Sequence, residues 1–81
     1  MNKYEKLDKM VLKTIRNLKL CMFGEILRET EIYRECERLA YTYGITRDPF
    51  RVLDGRLQAL RKEDKIYYEH FGKKQGWRIV K

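Results

Sequence analysis

The stretch "LAYTYGITRDPFRVLDGRL", residues 39–57, contains the residues that decide the fold. Ala40 is a small residue four positions ahead of Gly44, and glycine ends a helix cheaply because it can adopt a left-handed conformation. Asp48 before Pro49 makes a favourable N-cap with proline at the first helical position. The stretch therefore predicts two helices joined by a tight turn.

The second of these helices should bury one stripe and expose another. Thr46 is an earlier alternative start, and the helix should end around residues 62–64. Its apolar residues recur every three or four positions: Phe50, Leu53, Leu57 and Leu60. If these face inward, helical geometry turns four others outward: Arg51, Gly55, Gln58 and Lys62. A glycine inside a helix costs about 1 kcal/mol relative to alanine, so Gly55 calls for a reason such as close approach of another backbone.

Amphipathic helices are also predicted in the N-terminal half. One apolar stripe spans about four turns: Tyr4, Leu7, Val11, Ile15 and Leu18. Met10 and Leu12 fall outside that stripe. Residues 20–23 suit a brief strand or a buried connector. The helical segment that follows changes its apolar side, so it is either one long helix packed on two sides or a helix broken near Thr30.

The C-terminal residues predict a β-hairpin. Residues 65–71 and 77–80 are rich in aromatic and β-branched side chains, and the glycine-bounded "GKKQG" between them reads as a loop of five. The expected inward residues are Ile66, Tyr68, Trp77 and Ile79. The chain as a whole, residues 1–81, is expected to form a single α+β domain.

Positive charge is concentrated in the second half of the chain. The 81 residues carry a net charge of +7. Residues 1–44 hold nine Lys/Arg against seven Asp/Glu, whereas residues 45–81 hold ten against five. Such a basic half indicates a polyanionic partner such as nucleic acid, and more weakly an acidic membrane surface. The alternative is a protein that is merely basic.

The residue inventory argues against catalysis and against a metal site. The chain has no serine, one histidine and no glycine-rich phosphate loop, so we expect no enzyme and no cofactor. Cys21 and Cys36 are too few for a zinc cluster and are expected to be small buried residues, a disulfide being the lesser alternative. His70 has no partner nearby in sequence and reads as structural or exposed. No small-molecule ligand is evident.

No segment of the sequence reads as a membrane or export signal. An apolar run of the roughly 18–20 residues needed to span a bilayer is missing. The charged start lacks the apolar stretch of a signal peptide. We therefore expect an intracellular, cytoplasmic protein without a membrane partner.

The predicted order of elements, together with residues 39–57, resembles the winged helix-turn-helix family. Proteins of that family share a small residue in the first helix, here Ala40, and a turn glycine four positions later, here Gly44. The matching apolar positions are Leu39, Tyr43, Ile45, Phe50 and Leu53. The resemblance covers residues 4–81 and is nearest to small regulators of hyperthermophilic archaea and their viruses. It implies three helices and a C-terminal β-hairpin wing.

The resemblance also implies a function: a transcriptional regulator that binds double-stranded DNA sequence-specifically as a homodimer. The helix near residues 48–63 would enter the major groove and the wing would touch the adjacent backbone or minor groove. The implied recognition-helix contacts are Thr46, Arg47, Arg51, Gly55, Gln58 and Lys62. The implied phosphate and wing contacts are Arg56, Lys73, Lys74, Gln75 and Arg78. Arginine forks onto guanine, glutamine onto adenine, and lysine binds phosphate.

Several alternatives stay open at this point. Pro49 departs from the family pattern and would leave Thr46 and Arg47 in a loop. Arg56 equally suits a salt bridge with Asp54 or Glu63, and lysines in a hairpin turn also serve solubility. The same fold can act as a protein-interaction module without reading DNA, and RNA binding is a weaker third option. The homodimer is expected through the N-terminal helix, using its off-stripe apolar residues and Ile32.

Overall fold

The computed structural model describes residues 3–43 and 48–80. Within these ranges the chain forms four helices followed by a two-stranded hairpin. The elements are α1 (Glu5–Leu18), α2 (Phe23–Leu27), α3 (Thr30–Tyr43), α4 (Pro49–Lys62), β1 (Ile66–Phe71) and β2 (Lys74–Ile79). The predicted α+β class is confirmed, but the count of three helices was wrong because the short helix α2 precedes α3. None of the described helices is long and apolar enough to cross a membrane.

The helical segment after Cys21 is broken, as one of the two alternatives held. α2 ends at Leu27 and α3 begins at Thr30, which allows each helix to turn its own apolar residues to the core. Ile26 and Ile32 are both buried although they fall on different sides of a continuous helix. The break therefore explains why the apolar side changes along this segment.

α4 begins where the sequence predicted. The Asp48 side chain accepts a hydrogen bond from the backbone N–H of Phe50 at 3.0 Å, and Pro49 occupies the first turn. This bond satisfies one of the free N–H groups at the helix start. The helix ends at Lys62, inside the expected window. Four residues named in the sequence analysis lie outside the described residues: Gly44, Ile45, Thr46 and Arg47.

The core is built from the predicted stripes, except at their ends. The fully buried helical side chains include Leu7, Val11, Ile15, Ile26, Ile32, Cys36, Leu53, Leu57 and Leu60. Leu18, Tyr43 and Phe50, predicted to face inward, are instead 45%, 45% and 53% exposed. Each stands in the first or last turn of its helix, beyond the point where the next element covers it. Phe50 packs on Phe23 of α2, with ring centroids 6.1 Å apart.

The hairpin is longer and its turn tighter than predicted. β1 and β2 pair antiparallel from Ile66 with Ile79 to Phe71 with Lys74, which leaves a turn of only Gly72 and Lys73. The predicted five-residue loop was therefore wrong. The four expected inward residues do share one face of the sheet, where Ile66 and Trp77 are buried. Tyr68 is 41% exposed and packs edge-on against Trp77.

A third chain segment joins the sheet at Cys21, within the predicted brief strand. Cys21 N–H donates to the Trp77 carbonyl at 3.3 Å, and Trp77 N–H donates to the Cys21 carbonyl at 2.7 Å. Gly76 makes this approach possible: a Cβ there would lie 2.7 Å from the Cys21 carbonyl oxygen, and its φ is +154°. The connector after α1 thus holds the helices to the hairpin. Cys21 and Cys36 are both free and buried.

Candidate nucleic-acid interface

The outward side of α4 carries the stripe that the sequence predicted. Leu53, Leu57 and Leu60 point into the core. The four residues at i, i+4, i+7 and i+11 project on the opposite side of the same helix: Arg51, Gly55, Gln58 and Lys62. Three of them are exposed and Gln58 is half-buried. Their shared outward direction is confirmed, whereas their contact with DNA stays a prediction. We call these four residues the outer stripe.

The cations of the outer stripe are not committed to partners within the described part of the chain. Neither Arg51 nor Lys62 forms an ion pair there. The side-chain oxygen of Gln58 accepts a hydrogen bond from Arg61 Nε at 3.1 Å. An exposed bond of this kind contributes about 1 kcal/mol at most, so it can be exchanged for a bond to a ligand. The stripe therefore presents donors and positive charge to whatever approaches α4.

Gly55 has no packing role among the described residues. A Cβ built on it meets nothing within 4 Å, so close approach of another helix does not explain the glycine. It borders a shallow cleft of about 250 Å³ whose floor includes Ala40 and Val52, with Arg51 at its edge. Gly55 therefore lowers the stability of the helix. Among the described residues, its visible consequence is an open notch beside Arg51, which has no ion pair there.

Arg56 lies on another side of α4 and is held within the fold. Its Nε and Nη2 donate to the two carboxylate oxygens of Asp8 at 2.9 and 2.8 Å. The guanidinium also lies 4.5 Å from the ring centroid of Tyr4. Both charged side chains are about 15% exposed, 14% for Arg56 and 15% for Asp8. Hydrogen bonding to Asp8 raises the pKa of Arg56, so the guanidinium stays protonated.

The partner of Arg56 corrects the sequence analysis. Asp54 and Glu63 are near Arg56 in sequence and were its candidate partners in the alternative to phosphate binding, but the ion pair forms with Asp8, which is 48 positions away. The ion pair connects α4 to α1, which is a structural role that does not involve phosphate. Arg56 is consequently not part of the outer stripe, and its predicted contact with DNA would require this pair to open.

The hairpin residues divide into two groups. Lys73 in the turn and Lys74 at the start of β2 are exposed, and neither has an ion pair among the described residues. Gln75 is half-buried and accepts a hydrogen bond from the Tyr68 hydroxyl at 3.3 Å. Arg78 lies four residues from Lys74, about 13 Å along the strand, and its Nε donates to Glu69 at 2.6 Å. Only the two lysines form a free basic tip.

Two residues beside the outer stripe were not recognised as site candidates. Phe50 was placed in the core, yet its ring is half exposed next to Arg51. Asp54 was treated as a salt-bridge residue, yet within the described ranges its exposed carboxylate has no ion pair. Periodicity favoured the core for Phe50, and nothing in the local sequence distinguishes a free aspartate from a paired one. A carboxylate in this place is a suitable acceptor for the amino group of cytosine.

Burial or hydrogen bonding shifts the pKa of several other ionisable groups in the described chain. Burial raises the pKa of Cys21 to about 11 and that of Cys36 to about 12, which keeps both thiols protonated and unreactive at neutral pH. The buried carboxylate of Glu35 binds Arg38 at 2.6 Å, and these hydrogen bonds lower its pKa. The described residues contain no cluster of three or more side chains able to hold a metal ion.

Comparison with known proteins does not assign the chain to a family. No family model matches it, and neither does any curated protein or solved structure. The outer stripe and the hairpin tip present a forked arginine, a side-chain amide and three lysines, and the exposed carboxylate of Asp54 lies beside the stripe.

Proposed function

We propose that this chain is a winged-helix protein that binds double-stranded DNA, with α4 in the major groove and the hairpin as the wing. Arg51, Gln58 and Asp54 would face base edges, while Lys62 and the two tip lysines would bind phosphates. The observation that carries the proposal is the outer stripe itself. It combines an uncommitted arginine and lysine with a helix-interior glycine that no packing in the described structure requires.

The arrangement of elements supports this assignment. α3 and α4 pack against one another with Ala40 buried between them, as a helix-turn-helix pair requires. The hairpin follows α4 directly, and the Cys21 bridge adds the short third strand that lies beside a wing. α4 spans 14 residues, about 21 Å, which is long enough to lie in a major groove.

The direct test measures affinity for duplex DNA against salt. Because the positive charge lies on the outer stripe and the tip, log affinity should fall with log salt concentration by about 0.9 for each phosphate contacted. Fluorescence anisotropy with a labelled random-sequence duplex gives this slope, and selection from a duplex pool gives the preferred site. Binding that is absent at low salt, or indifferent to salt, contradicts the proposal.

Substitutions separate base reading from phosphate binding. Arg51→Ala should relax preference at one base pair of the selected site, because a bidentate contact to guanine contributes about 1–3 kcal/mol of discrimination. Lys73→Ala with Lys74→Ala should weaken every sequence alike and lower the salt slope. Lys13→Ala, which removes an exposed lysine from α1, is the matched control and should change neither quantity.

Regulation of transcription by a homodimer belongs to the same proposal, with a changed interface. Ile32 is only 1% exposed, so the expectation that it forms part of a dimer surface was wrong. Met10 and Leu12 are half-buried against their own core. The apolar side chain that α1 still presents is Leu18, beside a cleft bordered by Met10 and Glu29. Sedimentation of the wild type and of Leu18→Glu tests this: a monomeric wild type removes the dimer, and a dimeric variant moves the interface.

One observation favours a second candidate, a protein-interaction module. Phe50 and Met22 are 53% and 45% exposed and lie at the start of α4 and just before α2, where Phe23 stacks on Phe50. An exposed apolar patch of this kind can receive a partner protein. Phe50→Ala would then abolish partner capture. If duplex DNA does not bind, this candidate takes precedence.

A further inference from the structure

A groove opens at the end of the hairpin remote from the Lys73 turn. It lies between the last turn of α1 and the end of the hairpin where Tyr67 pairs with Arg78 and Ile79 ends β2. Its volume is about 770 Å³, within the range of about 300–1,000 Å³ that small-molecule sites occupy. Nothing in the proposed DNA-binding surface uses this groove.

The inner part of the groove is apolar. Ile15 of α1 is fully buried beneath it, and Ile79 of β2 is half-buried. Tyr67 and Val80 border the opening and are 42% and 39% exposed. A ligand with an apolar body would cover Tyr67, Ile79 and Val80 and remove their exposed surface from water.

The rim of the groove is positively charged. Arg16 and Lys19 lie in the last turn of α1 and just after it, both exposed and without an ion pair among the described residues. Arg78 completes the rim and is held by Glu69 at 2.6 Å. The described residues that line the groove include no acidic side chain. Two unneutralised cations therefore stand next to an apolar floor.

We propose that this groove binds a small organic carboxylate with an apolar body. The carboxylate would accept hydrogen bonds from Arg16 and Lys19, and the body would lie along Tyr67 and Val80. A second copy of the chain is a poorer occupant, because two-fold pairing on this face would bring the same cations of both copies together. Binding of the carboxylate in this groove does not depend on whether the chain binds DNA.

The test uses 2-naphthoate as the probe and 2-naphthamide as its uncharged counterpart, with the ¹⁵N-labelled full chain observed by NMR. Naphthoate should shift the amide resonances around Ile15, Lys19 and Arg78 and few others. The amide should bind about tenfold more weakly, because it lacks the charge that the rim attracts. Equal binding of the two probes, or shifts centred on Phe23 and Phe50 instead, overturns the proposal.

Variants locate the contribution of the rim. Arg16→Gln with Lys19→Gln should lower naphthoate affinity about tenfold and leave naphthamide affinity unchanged. The matched control, Lys13→Gln with Arg34→Gln, removes the same charge from exposed positions outside the groove and should leave both affinities unchanged. If the control weakens naphthoate as much as the rim variant, the effect is one of net charge and the site is refuted. Groove resonances that shift with protein concentration alone would assign the groove to a second copy.

Discussion

Two regions of the molecule each contain a glycine, and the space around the two glycines differs: Gly76 is tightly packed, whereas Gly55 is open. At the seam between Cys21 and β2, a Cβ on Gly76 would lie 2.7 Å from a carbonyl oxygen, and two backbone hydrogen bonds fill the contact. On the outer stripe of α4, a Cβ on Gly55 would meet nothing within 4 Å. One glycine is required by the fold, whereas the other is not required by any described neighbour.

The charged residues of the two regions differ in the same way. Arg56, on the core side of α4, binds Asp8 through two hydrogen bonds and stacks on Tyr4. Arg51, five residues earlier on the outer stripe, has no ion pair in the described structure. The charged groups that stabilise the fold already have partners. A binding site is therefore expected where the surface is open and the charged side chains are unpaired.

The largest effect is expected for Gly76→Ala. The new methyl would collide with the Cys21 carbonyl, and alanine would adopt a φ of +154° that is essentially restricted to glycine. Strain and overpacking together should lower the free energy of unfolding by about 3 kcal/mol, as measured by urea denaturation. Gly24→Ala, where a Cβ meets nothing, is the control. Equal stability of the two variants would show that the seam can widen without cost.

The next effect is expected for Arg56→Ala. Removing the guanidinium leaves the largely buried carboxylate of Asp8 unpaired, which should cost about 2 kcal/mol of unfolding free energy. Arg51→Ala should stay within about 0.5 kcal/mol of the wild type, because its side chain is exposed and without an ion pair. A double-mutant cycle with Asp8→Ala measures the coupling of the pair. No coupling would mean that Arg56 is as free as Arg51 and available for phosphate.

Gly55→Ala should stabilise the protein and weaken DNA binding. Alanine in a helix interior is favoured over glycine by about 1 kcal/mol, and the structure has room for the methyl group. The same methyl would stand between the α4 backbone and the DNA that we propose approaches the outer stripe. Opposite signs in thermal unfolding and in anisotropy titration are therefore expected. Unchanged DNA affinity would remove Gly55 from the proposed interface.

The smallest effect concerns alkaline pH at the seam. Burial raises the pKa of Cys21 from 9.0 to about 11, so the folded state keeps the proton that the unfolded chain loses. The associated stability is complete below pH 9 and is lost as pH rises towards 11. Between pH 8 and pH 10 the wild type should lose on the order of 1 kcal/mol more than Cys21→Ala, measured by urea denaturation. A parallel decline of the two proteins would contradict the shift.

The helices and their faces were predictable because they depend on neighbours in the chain. The stripe of α1 and that of α4 follow from a period of 3.6 residues, and Asp48 before Pro49 is sufficient to begin a helix. The outward direction of the outer stripe follows from the same period, since it is opposite Leu53 and Leu57. No knowledge of the rest of the molecule was needed for these predictions.

The ends of the stripes and the length of the turn were not predictable in this way. Phe50 and Leu18 obey the helical period, yet they are exposed because no other element among the described residues extends far enough to cover them. The hairpin turn shrank from five residues to two because cross-strand pairing continues through Gly76 as far as Lys74. In each case the deciding quantity is the position of a neighbouring element.

By itself, the sequence determined that this chain is α+β, that α1 and α4 are amphipathic helices, and which side of α4 carries Arg51 and Lys62. Only the tertiary structure decided which charged side chains are free. Arg56 and Asp8 are 48 positions apart and meet because the folded chain brings α1 and α4 within reach of each other's side chains, and Gly76 is indispensable because the Cys21 backbone crosses it. The physical reason is that periodicity acts between residues close in the chain, whereas ion pairs and steric clashes depend on contacts that the chain makes only once it has folded.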